Sequence, residues 1–492
     1  MTLQESPHEH ILAEYLNDAQ NAKTLILENK DKVKSSNSLK ESTAMPLSFL
    51  QEEVWLSNKL YPNDPTYNIY NGLYLKGDLQ LSILQRSLNE IMQRHTILRT
   101  YFSEENGQAI QKVMPELSLI LKVFDFRTLS EQQQRRKIDN NFIYEENTPF
   151  DLEDAPLWRV SLLRLADQSY LLSITFHHMI HDASSMEIFI QELTSLYHAF
   201  VNNEPSPLEA ISDHYADFSH WQRQYFTTEM LQKRQKYWQK LLQNVPTPLK
   251  LPTDKDFTIT QERQVYQSGL ERFELSDKAS QKLCEFGYKH SASPPIVLLA
   301  LYIAMLYQQT GQCEMMIGLP VNRRKFLKRK APQFMNLWGY FSGISVLHIQ
   351  FDENPSFVQI LKTVRRAMLS SLRNQDLTLK QVWNGLNLEW TAKQQQLFQT
   401  VFHFLPLVSR DEIQISDGLT FSSLPNRRGK MVRDLVIALW EKEGEKDSFE
   451  GALRYRQDMF TQKAISKLIS HLQSLTETIA AQPEQAIKPL KI

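Results

Sequence analysis

The sequence predicts a layered protein of mixed strands and helices, of the α/β or α+β class, and three observations support that prediction. Helical and strand-like patterns alternate from Met45 onward, and no unit of a few tens of residues is repeated. The chain has 492 residues, 42% of them hydrophobic, so it can bury a large core and form two or more domain-sized units. The longest apolar run, PPIVLLALYIAML from Pro294, is too short to cross a bilayer and is typical of a buried core helix.

The individual elements follow from the spacing of apolar residues. Helical spacing predicts helices over 47–60 and 81–95, and the apolar helix from Pro294 is expected to end before Gly311. Strand patterns occur at 67–77, 157–165, 170–176 and 315–321. The proline-rich segment 240–256 is interpreted as part of the crossing between two halves of the chain.

Residues 1–44 differ in composition from the rest of the chain. Apolar residues between Ile11 and Ile26 recur at helical spacing, which predicts one short amphipathic helix. The polar, serine-rich stretch KDKVKSSNSLKEST that follows is typical of a flexible linker. Two interpretations stay open for the helix: it lies on the body of the protein, or it docks onto a partner protein.

The charge and cysteine content exclude several classes of function. The formal net charge is −1, so neither nucleic acid nor a membrane is expected as a partner. The N-terminus lacks the basic start and apolar core of a signal peptide, and Cys284 and Cys313 have no metal-binding or disulfide spacing. A reduced, cytoplasmic setting is therefore expected. The sequence contains no phosphate loop, dinucleotide fingerprint or GxSxG elbow.

The residues with the most chemical potential lie between 171 and 187, in LLSITFHHMIHDASSME. Strand alternation places His178 on the same face as Phe176, just past a buried apolar row. A helix follows at once, with Ser184 and Glu187 as a candidate capping box. The histidines are therefore expected in a tight turn from strand to helix, where backbone N–H groups would help to stabilise a developing negative charge.

His178 is the candidate for proton transfer, because an unperturbed imidazole titrates at about 6.5 and can accept and release a proton near neutral pH. Asp182 is the candidate scaffold residue, which would orient the turn through a buried ion pair with an arginine. Two other interpretations compete: a hydrogen-bonded core histidine, and a zinc site made by His177, His178, His181 and Asp182. Adjacent histidines on a strand point to opposite faces, so no metal site is expected.

HHMIHDA resembles the HHxxxDG motif of the condensation domains of nonribosomal peptide synthetases, which share a superfamily with chloramphenicol acetyltransferase. Other segments resemble further motifs of the family, in the family's order, from Met45 to the C-terminus. They are MPLSFLQEEVWLSNKL (45–60), RHTILRTYF (94–102), PFDLEDAPLWRVSLLRL (149–165), YADFSHWQRQ (215–224), LPTDKD (251–256), TGQCEMMIGLPVNRR (310–324), NQDLTLKQV (374–382) and LRYRQDMF (453–460). The chain is identified on these motifs as a free-standing member of the family.

The resemblance implies two chloramphenicol-acetyltransferase-like lobes that form a V-shaped pseudo-dimer with a central tunnel. The N-terminal helix and linker would occupy 1–44. The N-terminal lobe with the HHxxxD motif would occupy 45–225, and the C-terminal lobe would occupy 226–492. The family is usually monomeric, and a monomer is expected here.

The resemblance also implies the roles of the site residues. His178 matches the active histidine, with His177 beside it in the catalytic motif. Asp182 matches the structural aspartate, and Arg324 is its implied ion-pair partner, for which the adjacent Arg323 would substitute. The implied reaction is acyl transfer from a thioester to an amine or a hydroxyl group, with no bound cofactor and no metal.

The implied substrates arrive on the 4'-phosphopantetheine arms of peptidyl or acyl carrier proteins. The chain shows no adenylation motif and no carrier-protein serine, so the donor is expected in trans, and the acceptor either in trans or as a free amine. RRKFLKRK (323–330) has six basic residues in eight. It is either a solvated loop or a patch that contacts the carrier or the phosphate. The candidate contacts in it are Arg323, Lys325, Lys328, Arg329 and Lys330.

Three departures from the family pattern bear on activity. Ala183 stands where the motif has glycine, and a position that needs positive φ would be strained by alanine. Thr378 replaces a proline, and Phe341-Ser342-Gly343 departs from the usual FxNT segment. Two alternatives therefore stay open: an acyltransferase of the same superfamily that uses acyl-CoA or a fatty-acyl carrier, and a catalytically silent carrier-binding module.

Overall fold

The computed structural model of the chain describes residues 23–24, 43–242, 247–255, 266–385, 397–405, 412–416, 418–424 and 430–490. These residues form two seven-stranded sheets, one three-stranded sheet and twelve helices, which confirms the mixed α/β prediction. The helices are α1 Phe49–Leu60, α2 Leu81–Arg94, α3 Glu131–Asn147, α4 Ala183–Val201, α5 Tyr215–Tyr225, α6 Thr228–Leu241, α7 Asp277–Lys289, α8 Pro294–Thr310, α9 Arg324–Lys330, α10 Phe357–Arg373, α11 Leu379–Gly385 and α12 Gln462–Ala481.

The strands include several two-residue pieces at the sheet edges. They are β1 Lys23–Thr24, β2 Met45–Pro46, β3 Asn68–Gly77, β4 Thr100–Glu105, β5 Gln108–Val113, β6 Lys122–Asp125, β7 Trp158–Ala166, β8 Ser169–His177, β9 Tyr266–Glu274, β10 Glu314–Asn322, β11 Ser342–Gln350, β12 Thr400–Phe404, β13 Ile413–Ser416, β14 Leu419–Ser423, β15 Lys430–Met431, β16 Leu435–Glu441 and β17 Phe449–Arg456.

Contacts divide the chain into two compact units. The first unit comprises Met1–Tyr225, Arg324–Phe341 and Arg410–Asn426, and the second comprises Phe226–Arg323, Ser342–Ser409 and Arg427–Ile492. The chain therefore changes unit first after Tyr225 and returns twice to the first unit. The described part of segment 240–256, interpreted from the sequence as a crossing, lies inside the second unit instead.

The sheet of the first unit has the strand order β1-β6-β7-β8-β3-β14-β13. The long antiparallel strands β7, β8 and β3 form its centre, and Asn68 at the start of β3 pairs with His177 at the end of β8. One face of β8 carries Leu172, Ile174 and Phe176, which are fully buried. Helices α2 and α4 pack together in this unit, and the end of β8 is thus anchored in a large core.

The sheet of the second unit has the strand order β11-β10-β12-β16-β17-β9-β15. Helix α8 lies in its core, with every residue from Ile296 to Tyr307 buried. It ends at Gly311, whose φ of 68° is in the left-handed region that suits glycine at a helix C-terminus. The sequence predicted this helix and its end correctly.

Most of the predicted N-terminal helix over 11–26 lies outside the described residues. The exception is Lys23–Thr24, which pairs with β6 as a short strand, so the helix prediction is wrong for these two residues. Among the described residues, no single helix is long and apolar enough to cross a membrane. The bent pair α7 and α8, at 110°, would pass that test by length and composition only.

Candidate active site

The histidine stretch forms a turn between β8 and α4 in the first unit. The strand ends at His177, residues His178–Ile180 form one 3₁₀ turn, and α4 begins at Ala183. The N-cap of α4 is Asp182, whose Oδ1 accepts a hydrogen bond from the Ser185 N–H at 3.0 Å. The predicted capping box at Ser184 is therefore wrong, because the helix starts before it.

His178 has one ring nitrogen fixed by the turn. Nδ1 lies 2.7 Å from the carbonyl oxygen of His181, and a carbonyl oxygen can only accept. Nδ1 therefore carries a proton, and in the neutral ring Nε2 holds the lone pair. The side chain is half-buried, and burial lowers the pKa of His178 although the hydrogen bond to His181 and the charge of Asp182 oppose the shift.

His177 is a buried neighbour that holds the turn. It is 3% exposed, and its Nδ1 accepts the N–H of Met179 at 3.3 Å. Its ring lies beside Tyr67 and Phe150, with ring centroids 6.0 and 5.9 Å apart. Burial, with smaller contributions from His178 and Arg159, lowers the pKa of His177 to about 3, so it is neutral at pH 7.

His181 packs into the core of the first unit and not towards a metal position. Its ring stacks on Phe176 with centroids 4.1 Å apart, and burial lowers its pKa to about 3. Within the described ranges, no group of three or more His, Cys, Asp or Glu side chains is placed to hold a metal ion.

Asp182 is fully buried and accepts hydrogen bonds at both oxygens. Arg324 donates to Oδ1 at 3.0 Å, the pairing that the family resemblance implies, and the Phe341 N–H donates to Oδ2 at 3.1 Å. Burial raises the pKa of Asp182. The charge and hydrogen bond of Arg324, with the Ser185 N–H, outweigh that effect, so the pKa is lowered overall and the group is ionised.

The segment 335–341 completes this network, and apart from the position of Arg324 no sequence signal pointed to it. Arg324 donates to the carbonyl oxygens of Met335 and Leu337 at 3.0 and 2.6 Å. Ser185 Oγ accepts the Gly339 N–H at 3.0 Å and lies 3.0 Å from the Gly339 carbonyl oxygen. Asp182, Ser185 and Arg324 thus hold this segment beside the histidine turn.

The turn leaves fewer free amides than the sequence predicted for stabilising an oxyanion. The N–H groups of Met179 and Ser185 donate to His177 and Asp182, and the His181 N–H lies 3.4 Å from the His178 carbonyl oxygen. These three donors are already engaged within the turn.

The basic stretch 323–330 is divided between the interior and the surface. Lys325, Lys328, Arg329 and Lys330 are exposed on α9. Arg323 is 6% exposed and donates to the carbonyl oxygen of Leu377 at 2.9 Å, so its assignment to a surface patch is wrong.

Two of the departures from the family pattern are structurally compatible with the fold. Ala183 is the first residue of α4, is exposed, and does not have positive φ, so the alanine introduces no backbone strain. Thr378 is buried beside the start of α11, where its Oγ1 accepts the Gln381 N–H at 3.3 Å and its own N–H donates to Gln381 Oε1 at 3.0 Å. This reciprocal pair caps α11 and replaces the proline of the motif.

Solved structures define the fold class of the chain. The X-domain from teicoplanin biosynthesis matches with a TM-score of 0.79 over 92% of this chain and 99% of that one, at 20% identity. The first condensation domain of the calcium-dependent antibiotic synthetase matches with a TM-score of 0.72, over 92% and 99% of the two chains, at 18% identity. The fold is therefore that of condensation domains and X-domains.

Sequence comparison shows the family. The Condensation domain model matches residues 41–492, and the chain belongs to the condensation domain family. A linear gramicidin synthase of Brevibacillus parabrevis is 30% identical over 461 residues, which cover 93% of this chain and 9% of that protein. Phosphinothricin tripeptide synthetase PhsC of Streptomyces viridochromogenes is 26% identical over 91% of this chain and 40% of its own length. The chain thus spans a small part of these relatives.

Proposed function

We propose that the chain transfers an acyl or aminoacyl group from a carrier-protein thioester to an amine, with His178 as the group that moves the proton. One observation carries the proposal: the carbonyl oxygen of His181 fixes the proton on Nδ1 of His178, so Nε2 is the free acceptor. Because burial lowers the pKa of His178, the imidazole is neutral at pH 7.

The proposed step conserves atoms and charge. The amine nitrogen attacks the thioester carbonyl carbon and loses a proton to His178 Nε2, which forms a tetrahedral intermediate. Collapse of the intermediate breaks the C–S bond, and the proton passes from Nε2 to the departing thiolate. The products are an amide and the free thiol of the carrier arm. Acid–base help of this kind is worth about 10²–10⁴-fold.

The partners of this reaction would be acyl-loaded carrier proteins. The exposed basic side chains of α9, defined here as the basic helix surface (Lys325, Lys328, Arg329 and Lys330), are proposed to contact the carrier or its phosphopantetheine phosphate. The known relatives support a carrier-borne donor by their names, since they are peptide synthases and synthetases.

The test is an intact-mass assay with an aminoacyl- or fatty-acyl-loaded carrier protein and a panel of free and carrier-bound amines. Wild-type protein is compared with His178→Gln and with His198→Gln, a control at an exposed histidine of α4. Transfer by the wild type and the control, lost in His178→Gln, is the expected result.

Other outcomes select among the alternatives. Transfer from acyl-CoA but not from a loaded carrier would favour the acyl-CoA-dependent acyltransferase. Carrier binding without transfer by any of the three proteins would favour the silent carrier-binding module. Equal transfer by wild type and His178→Gln would remove His178 from the mechanism.

A further inference from the structure

The side chain of Tyr340 lies directly against the imidazole of His178. The ring centroids are 4.4 Å apart and the ring planes are inclined by 46°. Tyr340 is 7% exposed, so its ring is part of the packed interior of the first unit. It directly precedes Phe341, where the chain departs from the FxNT pattern, and it belongs to none of the matched motifs.

The backbone on each side of Tyr340 is fixed. The preceding Gly339 N–H donates to Ser185 Oγ at 3.0 Å, and the following Phe341 N–H donates to Asp182 Oδ2 at 3.1 Å. The carbonyl oxygen of Tyr340 itself accepts the hydroxyl of Tyr215 at 2.5 Å. The first two of these hydrogen bonds lead to the residues that cap α4, so Tyr340 and the histidine turn are held on one frame.

Close packing at Gly339 and Tyr215 prevents this segment from shifting. A Cβ at position 339 would lie 2.0 Å from the ring of Tyr215, and Gly339 has φ of 155°. Tyr215 is 2% exposed, and its hydroxyl also lies 3.0 Å from Ser48 Oγ. Since the Tyr215 proton goes to the Tyr340 carbonyl, Ser48 is the donor of that second bond.

We infer that Tyr340 is a positioning residue for His178, whose ring covers one face of the imidazole and sets its orientation. The hydrogen bond from Nδ1 to His181 fixes one edge of the imidazole, and the Tyr340 ring restricts rotation and excludes water from one face. The consequence for catalysis rests on the proposed function, whereas the consequence for the ionisation of His178 does not.

The charged and titratable groups around His178 come from three elements. His177 lies in β8, and His181 and Asp182 lie in the turn and the cap of α4; Tyr340 faces the ring from segment 335–341. Asp182 favours the protonated imidazole, and burial opposes it. Removal of the Tyr340 ring changes only the burial, so the pKa of His178 should rise.

The first experiment measures the ionisation of His178 by NMR, with ¹³C-labelled histidine in the full chain. His178→Gln identifies the signal among the thirteen histidines. In Tyr340→Ala, the pKa of His178 is expected to rise towards about 6.5, the value of a solvated imidazole. In Tyr340→Phe it is expected to stay at the wild-type value, because the ring and not the hydroxyl makes the contact. Tyr101→Ala serves as the control for loss of a tyrosine elsewhere in the first unit.

The second experiment measures transfer by the same variants in the intact-mass assay. Tyr340→Ala is expected to lower kcat by up to about 10²-fold with little change in KM, and Tyr340→Phe is expected to restore it. If Tyr340→Ala does not fold, Tyr340→Leu keeps apolar bulk and tests the same loss of ring contact. An unchanged pKa in both Tyr340→Ala and Tyr340→Leu would overturn the inference, as would a Phe variant as impaired as the Ala variant. Absence of transfer by the wild type would count against the proposed function alone, since the titration needs no substrate.

Discussion

Asp182 shows how one carboxylate serves the turn, the helix and a distant segment at once. It caps α4 through the Ser185 N–H, pairs with Arg324 and accepts the Phe341 N–H. Both charges are removed from water, Asp182 being fully buried and Arg324 7% exposed. Such a pair need not add net stability, but loss of one partner leaves the other charge uncompensated.

Asp182→Asn is therefore expected to destabilise the protein by about 3–5 kcal/mol, because Arg324 stays buried without its counter-charge. The shift in the urea midpoint measures this. Asp167→Asn is the control, since Asp167 pairs with Arg127 on the surface and should cost at most about 1 kcal/mol. The double variant Asp182→Asn/Arg324→Met should lose less than Asp182→Asn alone. Equal losses for Asp182→Asn and Asp167→Asn would contradict the burial argument.

The buried histidines predict how stability depends on pH. The pKa values of His177 and His181 are both lowered to about 3 by burial, against about 6.5 in an unfolded chain. As pH falls below about 6.5 the unfolded state binds protons that the native state does not. Stability is therefore lost as pH falls from about 6.5 towards 3, by up to about 1.4 kcal/mol per pH unit for each histidine.

Urea unfolding at pH 7 and pH 5 tests this dependence. His181→Phe should flatten it, because phenylalanine keeps the stacking on Phe176 and removes the titrating group. The exposed His198→Gln should leave the slope as it is. A slope in His181→Phe as steep as in the wild type would show that other groups dominate the pH dependence.

The residues of the site were predictable from the sequence to different depths. The motif singled out His178 and Asp182, and their spacing indicated a strand-to-helix turn. The hydrogen bond between His178 Nδ1 and the His181 carbonyl was not predictable, because it depends on the 3₁₀ turn that interrupts strand alternation. The contact with Tyr340 was not predictable either, since it joins residues 162 positions apart in the chain.

At the scale of elements, the basic helix surface is the feature of α9 that bears on partners. Its four cations are exposed, whereas Arg323 and Arg324 are buried. Charge reversal by Lys328→Glu/Arg329→Glu is expected to raise KM for a loaded carrier protein by roughly tenfold or more at low salt. The difference should shrink as ionic strength rises.

The matched control for that variant is Lys463→Glu/Lys467→Glu, which reverses two exposed charges on α12 of the second unit. It should not change KM for the carrier. If both double variants raise KM equally, net charge is responsible and α9 has no special part in carrier recognition.

The sequence predicted elements well where the signal was local. Helix α8 is apolar all round and has a glycine at its end, and α1 begins with a Ser48–Gln51 capping box close to its predicted start. The cap of α4 was misplaced because Ser184 and Asp182 are both good N-cap residues, and the long-range bond to Arg324 decides between them. Arg323 was misassigned for a similar reason: its burial depends on a contact with Leu377 that its own stretch of sequence does not reveal.

At the scale of the whole molecule, the first unit draws on three separate stretches of chain. Segment Arg324–Phe341 brings Arg324 to Asp182, and β14 pairs with β3 in the sheet that holds the histidine turn. Local sequence patterns do not show which unit a segment joins, so the sequence predicted the first change of unit and not the two returns.

A fragment of residues 43–225 is therefore expected not to fold stably by itself. It lacks the partner of Asp182 and leaves the edge of β3 unpaired. Circular dichroism and NMR dispersion of the fragment, alone and co-expressed with residues 226–492, measure this. The co-expressed pair should recover structure, and a well-folded, monomeric fragment 43–225 would show that the two returning segments are dispensable.

The two returns of the chain also set a schedule for synthesis. Roughly two hundred residues separate Tyr225 from Asn426, where the last stretch of the first unit ends. At about 5–20 residues per second, a ribosome needs on the order of 10–40 seconds to make them. During that interval the nascent first unit has an unpaired strand edge and an uncompensated aspartate, so the histidine turn can be completed only near the end of translation.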